Sequence, residues 1–469
     1  MLLDIFDFCD PGSIRDEEEN ASISIWWPGF SKTLRWWYKL AHVCRHWRDL
    51  ILASPLRLRL CLYCRPGTPV AKMLTHSPSL PLLIEYHHEP TAKDQEGILH
   101  ALQHCNRVRH IALIMSTTNL RRVIMAMDKQ FSTLERLYIQ AMDDNGSLIY
   151  PETFQVPHLR HLALWGAVPA IGFPFTTVMN LVTLALYDIP PTAYFGPSSL
   201  FTRLSLIPQL ESLTIAFESQ FINLDFDSQL SNNPIVSQVA LPNLRWFWFR
   251  GVSTCLDSLF AHISAPLLKT LSINLCPQLT PLAVPHLLQF VNASENLEFR
   301  TLLLGFKNQS FLLKGYQHGK GTISPFEIWI VSGPLSLQVA FVMQTLSALR
   351  PILSAVEQLT LSCGPHYRSL ELHDDLDRTQ WRELLGLFSN VNTLHVQNNL
   401  IAKVSRSLQL DDGAPPLELL PNLEELGYSA GGDNDDAFIP FINERQKAGC
   451  PITLTVADDS LFSFEPPRL

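Results

Sequence analysis

The chain has 469 residues, of which 46% are hydrophobic and 17% charged, and its net charge is −9. This much apolar material excludes a disordered chain, the charge argues against wholesale nucleic-acid binding, and no apolar run reaches the roughly 20 residues of a membrane span. Nine scattered cysteines, an odd number at low density, do not indicate a disulfide scaffold and favour a reducing intracellular compartment, the cytoplasm or the nucleus.

The N-terminal part of the chain predicts one amphipathic helix. Apolar residues within Trp36–Pro55 recur at helical spacing, and they include Leu40, Val43 and Trp47. Ahead of this helix, Met1–Phe8 carries acids among its apolar residues and no basic flank, which is not the pattern of a signal peptide.

A six-residue pattern, L-x-x-L-x-L with conservative replacements, recurs eleven times along the chain. Alternate side chains of a strand point the same way, so two apolar residues of each hexamer enter a core while their neighbours face outward. One such unit cannot bury its apolar side alone, but many stacked in register build a continuous core and a parallel sheet. The hexamers are Val108–Leu113, Leu134–Ile139, Leu159–Leu164, Leu181–Leu186, Leu210–Ile215, Leu244–Phe249, Leu268–Ile273, Phe299–Leu304, Val356–Leu361, Val391–Val396 and Leu423–Tyr428.

The pattern predicts an α/β fold, an irregular leucine-rich repeat solenoid with a parallel sheet on its concave face and helices or loops on its convex face. A plain α/β sheet protein is the alternative, which eleven matches to one template disfavour. The repeat domain is expected at 101–456, after a connecting or capping segment at 58–100 and before a tail at 457–469. Helices fit some of the connectors, namely Leu120–Lys129, Pro285–Ala293 and Thr379–Phe388.

Residues 305–350 interrupt the repeat, and altered repeats or a hairpin-like insertion are expected there. Phe326–Val331 and Ser336–Val342 alternate or run apolar on either side of a Ser-Gly-Pro turn signal. The glycine-rich stretch Lys314–Gly321 is predicted as a surface loop.

The chain closes with a predicted helix and a predicted last strand. Asp435–Ala448 has acids at its start and Gly449 just past its end, which is typical of a helix. Ile452–Val456 is predicted as a strand, followed by the polar tail Asp458–Leu469. An end cap of this kind would shield the open core of the last repeat.

Motifs in the first part of the chain resemble a known family. The run Val43-Cys44-Arg45-x-Trp47-Arg48 with its Ser54-Pro55 stop is similar to the closing half of an F-box. Met1–Phe8 is similar to the end of the F-box opening helix. The continuation Leu56–Glu85 resembles the segment that joins the F-box to the repeats in many F-box proteins of mushroom-forming (basidiomycete) fungi.

This resemblance implies a function in protein degradation. F-box proteins are substrate receptors of Skp–Cullin–F-box ubiquitin ligases: the F-box docks on a Skp-type adaptor held by the cullin scaffold, and the repeats hold the protein to be ubiquitinated. Residues 1–57 would be the F-box, with an insertion at about 10–35. The implied adaptor contacts are Leu2, Leu3, Ile5, Phe6, Leu40, Val43 and Trp47. The alternative is a repeat scaffold with a decayed F-box, which binds protein but recruits no ligase.

The sequence predicts no enzyme, no cofactor and no metal site. Cys61-x-x-Cys64 has zinc or redox spacing, but a zinc site needs about four ligands and no second pair follows. Two ordinary half-buried cysteines are therefore expected. Gly315–Lys320 lacks the spacing of a phosphate-binding P-loop, and neither G-x-S-x-G nor H-E-x-x-H occurs, so no catalytic residue is nominated.

The repeat frame places side chains of known binding types on the concave surface. Trp165 and Tyr187 occupy the same slot in consecutive repeats and should be cross-strand neighbours. Trp, Tyr and Arg dominate binding hot spots, and a stripe of such residues is expected on the strand after Leu244. An unidentified protein substrate is the expected partner, and a loop that covers the aromatics is the alternative. The candidate contacts are Tyr138, Trp165, Tyr187, Trp246, Trp248, Arg250 and His395.

Overall fold

The structure is a computed structural model with side chains. It describes residues 36–54, 60–76, 79–143, 148–166, 173–189, 197–218, 238–276, 284–307, 310–317, 324–331, 335–363, 374–409, 419–429 and 437–457. The chain divides into two compact units. The N-terminal unit comprises Met1–Phe195 with Thr202–Leu210, and the C-terminal unit comprises Gly196–Phe201 with Glu211–Leu469.

The described part of the N-terminal unit is built on parallel strands that follow one another across the sheet in chain order. They are β1 (Leu62–Cys64), β2 (Leu82–Tyr86), β3 (Val108–Met115), β4 (Arg136–Ala141), β5 (His161–Trp165) and β6 (Thr183–Ile189). Its helices are α1 (Trp36–Ala41), α2 (Arg45–Ala53), α3 (Val70–His76), α4 (Ala92–Leu102) and α5 (Thr117–Met125). Helices α3, α4 and α5 thus connect consecutive parallel strands, which cannot be joined by a tight turn.

The leucines of the hexamers form the core of this sheet. Leu113, Ile139, Leu164 and Leu186 are register partners on β3 to β6, and all four are buried. Burial of each such side chain contributes about 1.5–3 kcal/mol. Because side chains alternate along a strand, the intervening residues lie on the opposite face, which we call the outer face.

The C-terminal unit has a mostly parallel sheet in the order β7-β9-β11-β14-β13-β12-β15-β16-β17-β18, and β8 and β10 pair separately. The strands are β7 (Ser212–Phe217), β8 (Val239–Ala240), β9 (Trp246–Gly251), β10 (Ile263–Ser264), β11 (Thr270–Leu275), β12 (Thr301–Lys307), β13 (Ser310–Tyr316), β14 (Phe326–Val331), β15 (Gln358–Cys363), β16 (Thr393–Val396), β17 (Glu425–Ser429) and β18 (Thr453–Ala457). The helices are α6 (Pro197–Leu204), which has residues in both units, α7 (Ser253–His262), α8 (Pro285–Asn292), α9 (Leu335–Ala348), α10 (Arg350–Leu353), α11 (Asp374–Leu385), α12 (Asn398–Leu408) and α13 (Ile439–Lys447).

Each of the eleven predicted hexamers overlaps a strand, and most of these strands pair in parallel. The predicted mixed α/β fold with a large parallel sheet is therefore confirmed at this level. Strands β1 and β2 lie in the segment predicted as a connection, so the sheet starts earlier than the hexamers indicate.

The predicted hairpin between Phe326–Val331 and Ser336–Val342 is wrong. Phe326–Val331 is β14, but it pairs in antiparallel fashion with β13, which in turn pairs with β12. Ser336–Val342 belongs to helix α9. An apolar run of this kind fits a buried helix as well as a buried strand, so periodicity alone does not separate the two. Residues 314–316, predicted as part of a loop, are the end of β13.

The predicted single helix over Trp36–Pro55 is wrong as well, because the chain is interrupted between α1 and α2. Cys44 has an extended backbone, with φ −158° and ψ 168°, and its Sγ accepts a hydrogen bond from the backbone N–H of Trp47 at 3.4 Å. Arg48 Nε donates to the carbonyl of Ala41 at 3.1 Å, which links the two short helices. The cysteine therefore serves as an N-cap, a role that helical spacing does not reveal.

Other predicted elements are placed close to where the sequence indicates. Pro285–Asn292 is helical, and the predicted closing helix and last strand correspond to α13 and β18. Gly449, just after α13, has φ +82°, the left-handed conformation that ends many helices. Among the described residues, no helix combines the length and apolar character that a bilayer crossing requires.

Candidate functional site

The outer face of the N-terminal unit presents three rows of side chains that run across β3 to β6. The register aligns each row by direct pairing of residues on neighbouring strands. The first row is His110, Arg136, His161 and Thr183; the second is Ala112, Tyr138, Ala163 and Ala185; the third is Ile114, Gln140, Trp165 and Tyr187. Three of the sequence-predicted contact residues, Tyr138, Trp165 and Tyr187, are thus brought together on one surface.

The second row forms an apolar floor, and the aromatic pair of the third row lies beside it. The three alanines and Tyr138 make a small buried cluster, against which Ile114 and Tyr187 pack. The rings of Trp165 and Tyr187 stack with centroids 4.5 Å apart, as their shared repeat slot predicts. Trp165 Nε1 donates to Asp188 Oδ2 at 2.7 Å, so the indole is held in place at its polar end. Such a preordered aromatic pair loses little entropy when a partner packs on it.

Tyr138 is more enclosed than the sequence indicates, because its side chain is only 8% exposed. Its hydroxyl donates to Gln140 Oε1 at 2.8 Å, and burial raises the pKa of the phenol above its usual range. Trp165 and Tyr187 are half-buried and keep exposed area. The aromatic pair is therefore the accessible part of this surface, and Tyr138 lies in the adjoining row with little exposed area.

The first row places a cation between two histidines. Arg136 on β4 pairs with His110 on one side and His161 on the other, and all three side chains are half-buried. Burial and, second, the Arg136 charge lower the pKa of each of these histidines to about 4. His161 Nδ1 also lies 3.0 Å from Thr183 Oγ1. Both imidazoles are consequently neutral at pH 7, and Arg136 carries the charge of the row.

A pocket opens where β3, β4 and β5 begin, beside the first row. We call it the arginine pocket, and it is lined by Arg109, Ser132, Thr133, Glu135, His158 and Arg160. Arg109 Nε lies 3.5 Å from Glu135 Oε1, and the Thr133 hydroxyl donates to the carbonyl of Val108 at 2.9 Å. The sequence prediction missed this pocket, although Arg109, Glu135 and Arg160 share the second position of three consecutive hexamers.

The outer face of the C-terminal unit holds the other predicted contacts. Trp246, Trp248 and Arg250 alternate along β9 as predicted, but Trp248 is only 6% exposed, while the other two are half-buried. His395 on β16 is half-buried too, and five strands lie between it and β9 in the sheet order. These residues therefore do not form one compact cluster, and their part in binding stays a prediction.

Two lysines on this second face make contacts within the sheet. Lys314 Nζ on β13 lies 3.5 Å from Glu327 Oε1 on β14. Burial raises the pKa of Glu327, and the nearby lysine opposes that shift. Lys307 Nζ lies 4.6 Å from the centre of the Trp329 ring, a cation–π contact. The polar groups at the centre of this face are thus engaged with one another.

The F-box-like segment is described only in part. Leu2, Leu3, Ile5 and Phe6 lie outside the described residues, as do the predicted insertion and the tail. Of the other implied adaptor contacts, Leu40 and Trp47 are half-buried, and the Val43 side chain is 59% exposed between α1 and α2.

The described residues contain no group of three or more His, Cys, Asp and Glu side chains arranged to hold a metal ion. Cys61 is half-buried, Cys64 is buried, and burial raises the pKa of the Cys64 thiol to about 12. A thiol with so high a pKa is a poor nucleophile. Comparison of the chain with known protein families and with curated proteins found no match.

Proposed function

We propose that the chain is an irregular leucine-rich repeat protein that binds a protein partner through the outer face of its N-terminal unit. It acts as the substrate-recognition subunit of a Skp–Cullin–F-box ubiquitin ligase, with α1 and α2 as part of the adaptor-docking surface. The observation that carries the partner-binding role is the stacked pair Trp165–Tyr187 on an alanine floor, held by Asp188.

Residue chemistry supports binding rather than catalysis at this surface. The stacked rings supply rigid apolar area, which is what interface hot spots use. Arg136 and the neutral imidazoles beside it add polar groups at the edge of that area. The aromatic centre and polar margin resemble the anatomy of a protein–protein interface, with an apolar core and a polar rim.

The adaptor-docking role rests on the F-box-like motif and on the exposure of Val43. A valine with 59% of its side chain exposed leaves apolar area in contact with water, and burial against an adaptor would remove it. Leu40 and Trp47 flank it on the adjoining helices and are half-buried. Together they offer a small apolar surface of the kind that a helical adaptor groove takes.

A binding assay with a purified Skp-type adaptor tests this role. Val43→Asp places a charge in the docking surface and is expected to weaken adaptor binding at least tenfold, as measured by isothermal titration calorimetry. Met125→Asp is the matched control, because Met125 is also 59% exposed and lies in the same unit. It is expected to leave the affinity unchanged.

The outcome separates the two proposed roles. If the unaltered chain does not bind the adaptor, the ligase assignment is wrong. The protein is then a repeat scaffold whose F-box-like segment recruits no ligase, while the outer face keeps its partner-binding role. Equal losses in both variants would show instead that a surface charge anywhere in the unit disturbs binding.

A further inference from the structure

Positive charge is concentrated where β3, β4 and β5 begin. The second and third positions of three consecutive hexamers meet there, and they hold three arginines, two histidines and one glutamate: Arg109, His110, Glu135, Arg136, Arg160 and His161. Neighbouring strands are roughly 4.8 Å apart, so these residues form one basic patch at this end of the sheet, in which the second and third positions alternate in direction and only the second-position residues line the arginine pocket. The chain as a whole has a net charge of −9, which makes this patch a local reversal of sign.

The cations of the patch outnumber their partners. Glu135 forms an ion pair with Arg109 at 3.5 Å. The side chains of Arg136 and Arg160 have neither a hydrogen bond nor an ion pair within the part of the chain that the structure describes. Arg136 is also half-buried, where a charge loses part of its hydration. Cations held side by side in this way repel one another, and a bound anion would relieve that repulsion.

The arginine pocket supplies the remaining parts of an anion site. Arg109 and Arg160 stand on opposite sides of β4, and a guanidinium group can hold a carboxylate or a phosphoryl group through two parallel hydrogen bonds. Ser132 is exposed at the pocket and offers a hydroxyl donor. His158 lies at its rim and can add a further donor.

We propose that the arginine pocket binds the anionic side chain of a peptide segment, a phosphorylated serine or threonine or a carboxylate. The proposal deepens the partner-binding role, on which it rests for the assumption that the ligand is a peptide. Arg109 and Arg160 contact the anion, and Arg136 contributes its charge from the neighbouring row. Arg160 is expected to dominate, because Glu135 already neutralises Arg109.

The same geometry predicts what accompanies the anion. Along β4, Tyr138 lies two residues beyond Arg136, and the Trp165–Tyr187 pair lies in the following row. Trp165 lies five residues beyond Arg160, a span of roughly 16 Å along a strand, so an extended peptide of about six residues covers both features. The ligand class is therefore an acidic or phosphorylated residue with an aromatic or aliphatic residue about four to six positions away.

Fluorescence anisotropy with three labelled peptide pools tests the proposal on the full chain. The pools are randomised decapeptides with a fixed central phosphoserine, glutamate or serine. The phosphoserine pool is expected to bind about tenfold more tightly than the serine pool, with glutamate between them, because the dianion forms more charge-assisted hydrogen bonds. Inorganic phosphate at constant ionic strength is expected to compete.

Variants identify the pocket as the site. Arg160→Ala is expected to weaken phosphoserine-pool binding about tenfold, and Arg160→Lys to restore part of it, because lysine keeps the charge but not the two parallel hydrogen bonds. Arg121→Ala is the matched control, since Arg121 is exposed on α5 of the same unit. Equal losses in Arg160→Ala and Arg121→Ala would overturn the proposal, since they would mean that only overall charge matters.

The assay also separates this proposal from the proposed function. It uses neither the adaptor nor a native partner, so the loss of adaptor binding in Val43→Asp does not affect it. If inorganic phosphate binds but the three pools bind equally, the assignment of a peptide ligand is overturned. If neither phosphate nor any pool prefers the unaltered pocket over Arg160→Ala, the anion site itself is overturned.

Discussion

On the outer face of the N-terminal unit, Arg136 lies between two neutral histidines and has no ion-pair partner among the described residues. On the outer face of the C-terminal unit, Lys314 lies 3.5 Å from Glu327, and Lys307 lies over the Trp329 ring. The repeat pattern builds the first face, whereas these two lysines lie in the 305–350 segment that interrupts the repeat. The outward cations of the two regions are used differently. The N-terminal face leaves cations available to a ligand, whereas the lysines of the C-terminal face contact a carboxylate and an aromatic ring of the same sheet.

The aromatic residues differ in the same way. Trp165 is half-buried and stacked on Tyr187, so part of the pair remains open to solvent. Trp248 occupies an outward position on β9 but is 6% exposed, which is the exposure of a core residue. Residue type and strand register therefore place a tryptophan on the outer face, but they do not decide whether it can contact a partner.

Alanine replacement of the two tryptophans tests this difference and has the largest expected effect. Trp248→Ala is expected to lower the free energy of unfolding by about 3–4 kcal/mol, as for other buried tryptophans. Trp165→Ala is expected to cost about 1 kcal/mol, the worth of one aromatic stack at a half-buried site. Calorimetric unfolding of both variants measures the difference. A cost of 3 kcal/mol or more for Trp165→Ala, on the order of a core position, would mean that its ring belongs to the core.

Removal of one charge from each face has the next largest effect. Lys314→Met leaves Glu327 mostly buried without its ion pair, and we expect a loss of about 2 kcal/mol in unfolding free energy at pH 7. Arg136→Met removes a cation that has no such partner, so a change within about 0.5 kcal/mol is expected. Urea denaturation measures both values, and similar costs in the two variants would contradict the contrast between the faces.

The pH dependence of the Lys314→Met loss has a definite sign. Burial raises the pKa of Glu327 in the folded protein above that of the unfolded chain, and the loss of the lysine raises it further. A carboxyl whose folded pKa is raised stabilises the protein below its unfolded pKa and loses that contribution as pH rises through the folded pKa. The deficit of the variant should therefore shrink when the pH is lowered from 7 toward 4.

Proton uptake on anion binding should have a smaller effect for each group involved, about 1.4 kcal/mol per histidine. The pKa of His110 and of His161 is about 4 in the free protein, and a bound anion would raise both. Affinity then increases as pH falls, by about tenfold between pH 8 and 5.5 for each histidine whose pKa returns to about 6.5. Sulfate is the suitable probe, because its own charge does not change over this range.

The groups around these histidines determine how large the pH effect becomes. Arg136 faces both of them, His87 adjoins His110 from the side of β2, and Arg160 adjoins His161. The positive charges of Arg136 and Arg160, and of His87 when it is protonated, oppose protonation of His110 and His161. A bound anion has to offset this repulsion. The double variant His110→Asn with His161→Asn is expected to bind sulfate with no rise at low pH. A rise that persists in it would assign the effect to other groups.

Several features were predictable from local pattern. Alternation along a strand is a property of the backbone, so the repeated leucines identify the strands and the buried side of the sheet. The same reasoning predicts that Trp165 and Tyr187 are neighbours, and the register confirms it. The Cys44 break between α1 and α2 was not predictable, because a thiol N-cap leaves the helical spacing of its neighbours unchanged.

Strand order in the C-terminal unit also lay beyond the sequence pattern. Leu271 on β11 pairs with Phe326 on β14, because the antiparallel strands β13 and β14 enter the sheet before β12. The hydrophobic pattern predicts which side of a strand is buried, but it does not predict which strand lies beside it. The pairing depends on chain connections and on packing across many residues.

The sequence by itself determined that the chain folds as repeated strands with one buried leucine side, because that requirement is local to each hexamer. It also determined which residue types lie outward. Only the tertiary structure decided which outward charged groups have an ion-pair partner. Glu327 pairs with Lys314 on the neighbouring strand. The Arg160 side chain pairs with no carboxylate among the described residues. Electrostatic pairing depends on distances of a few ångströms between side chains of different strands, and those distances exist only once the sheet has formed.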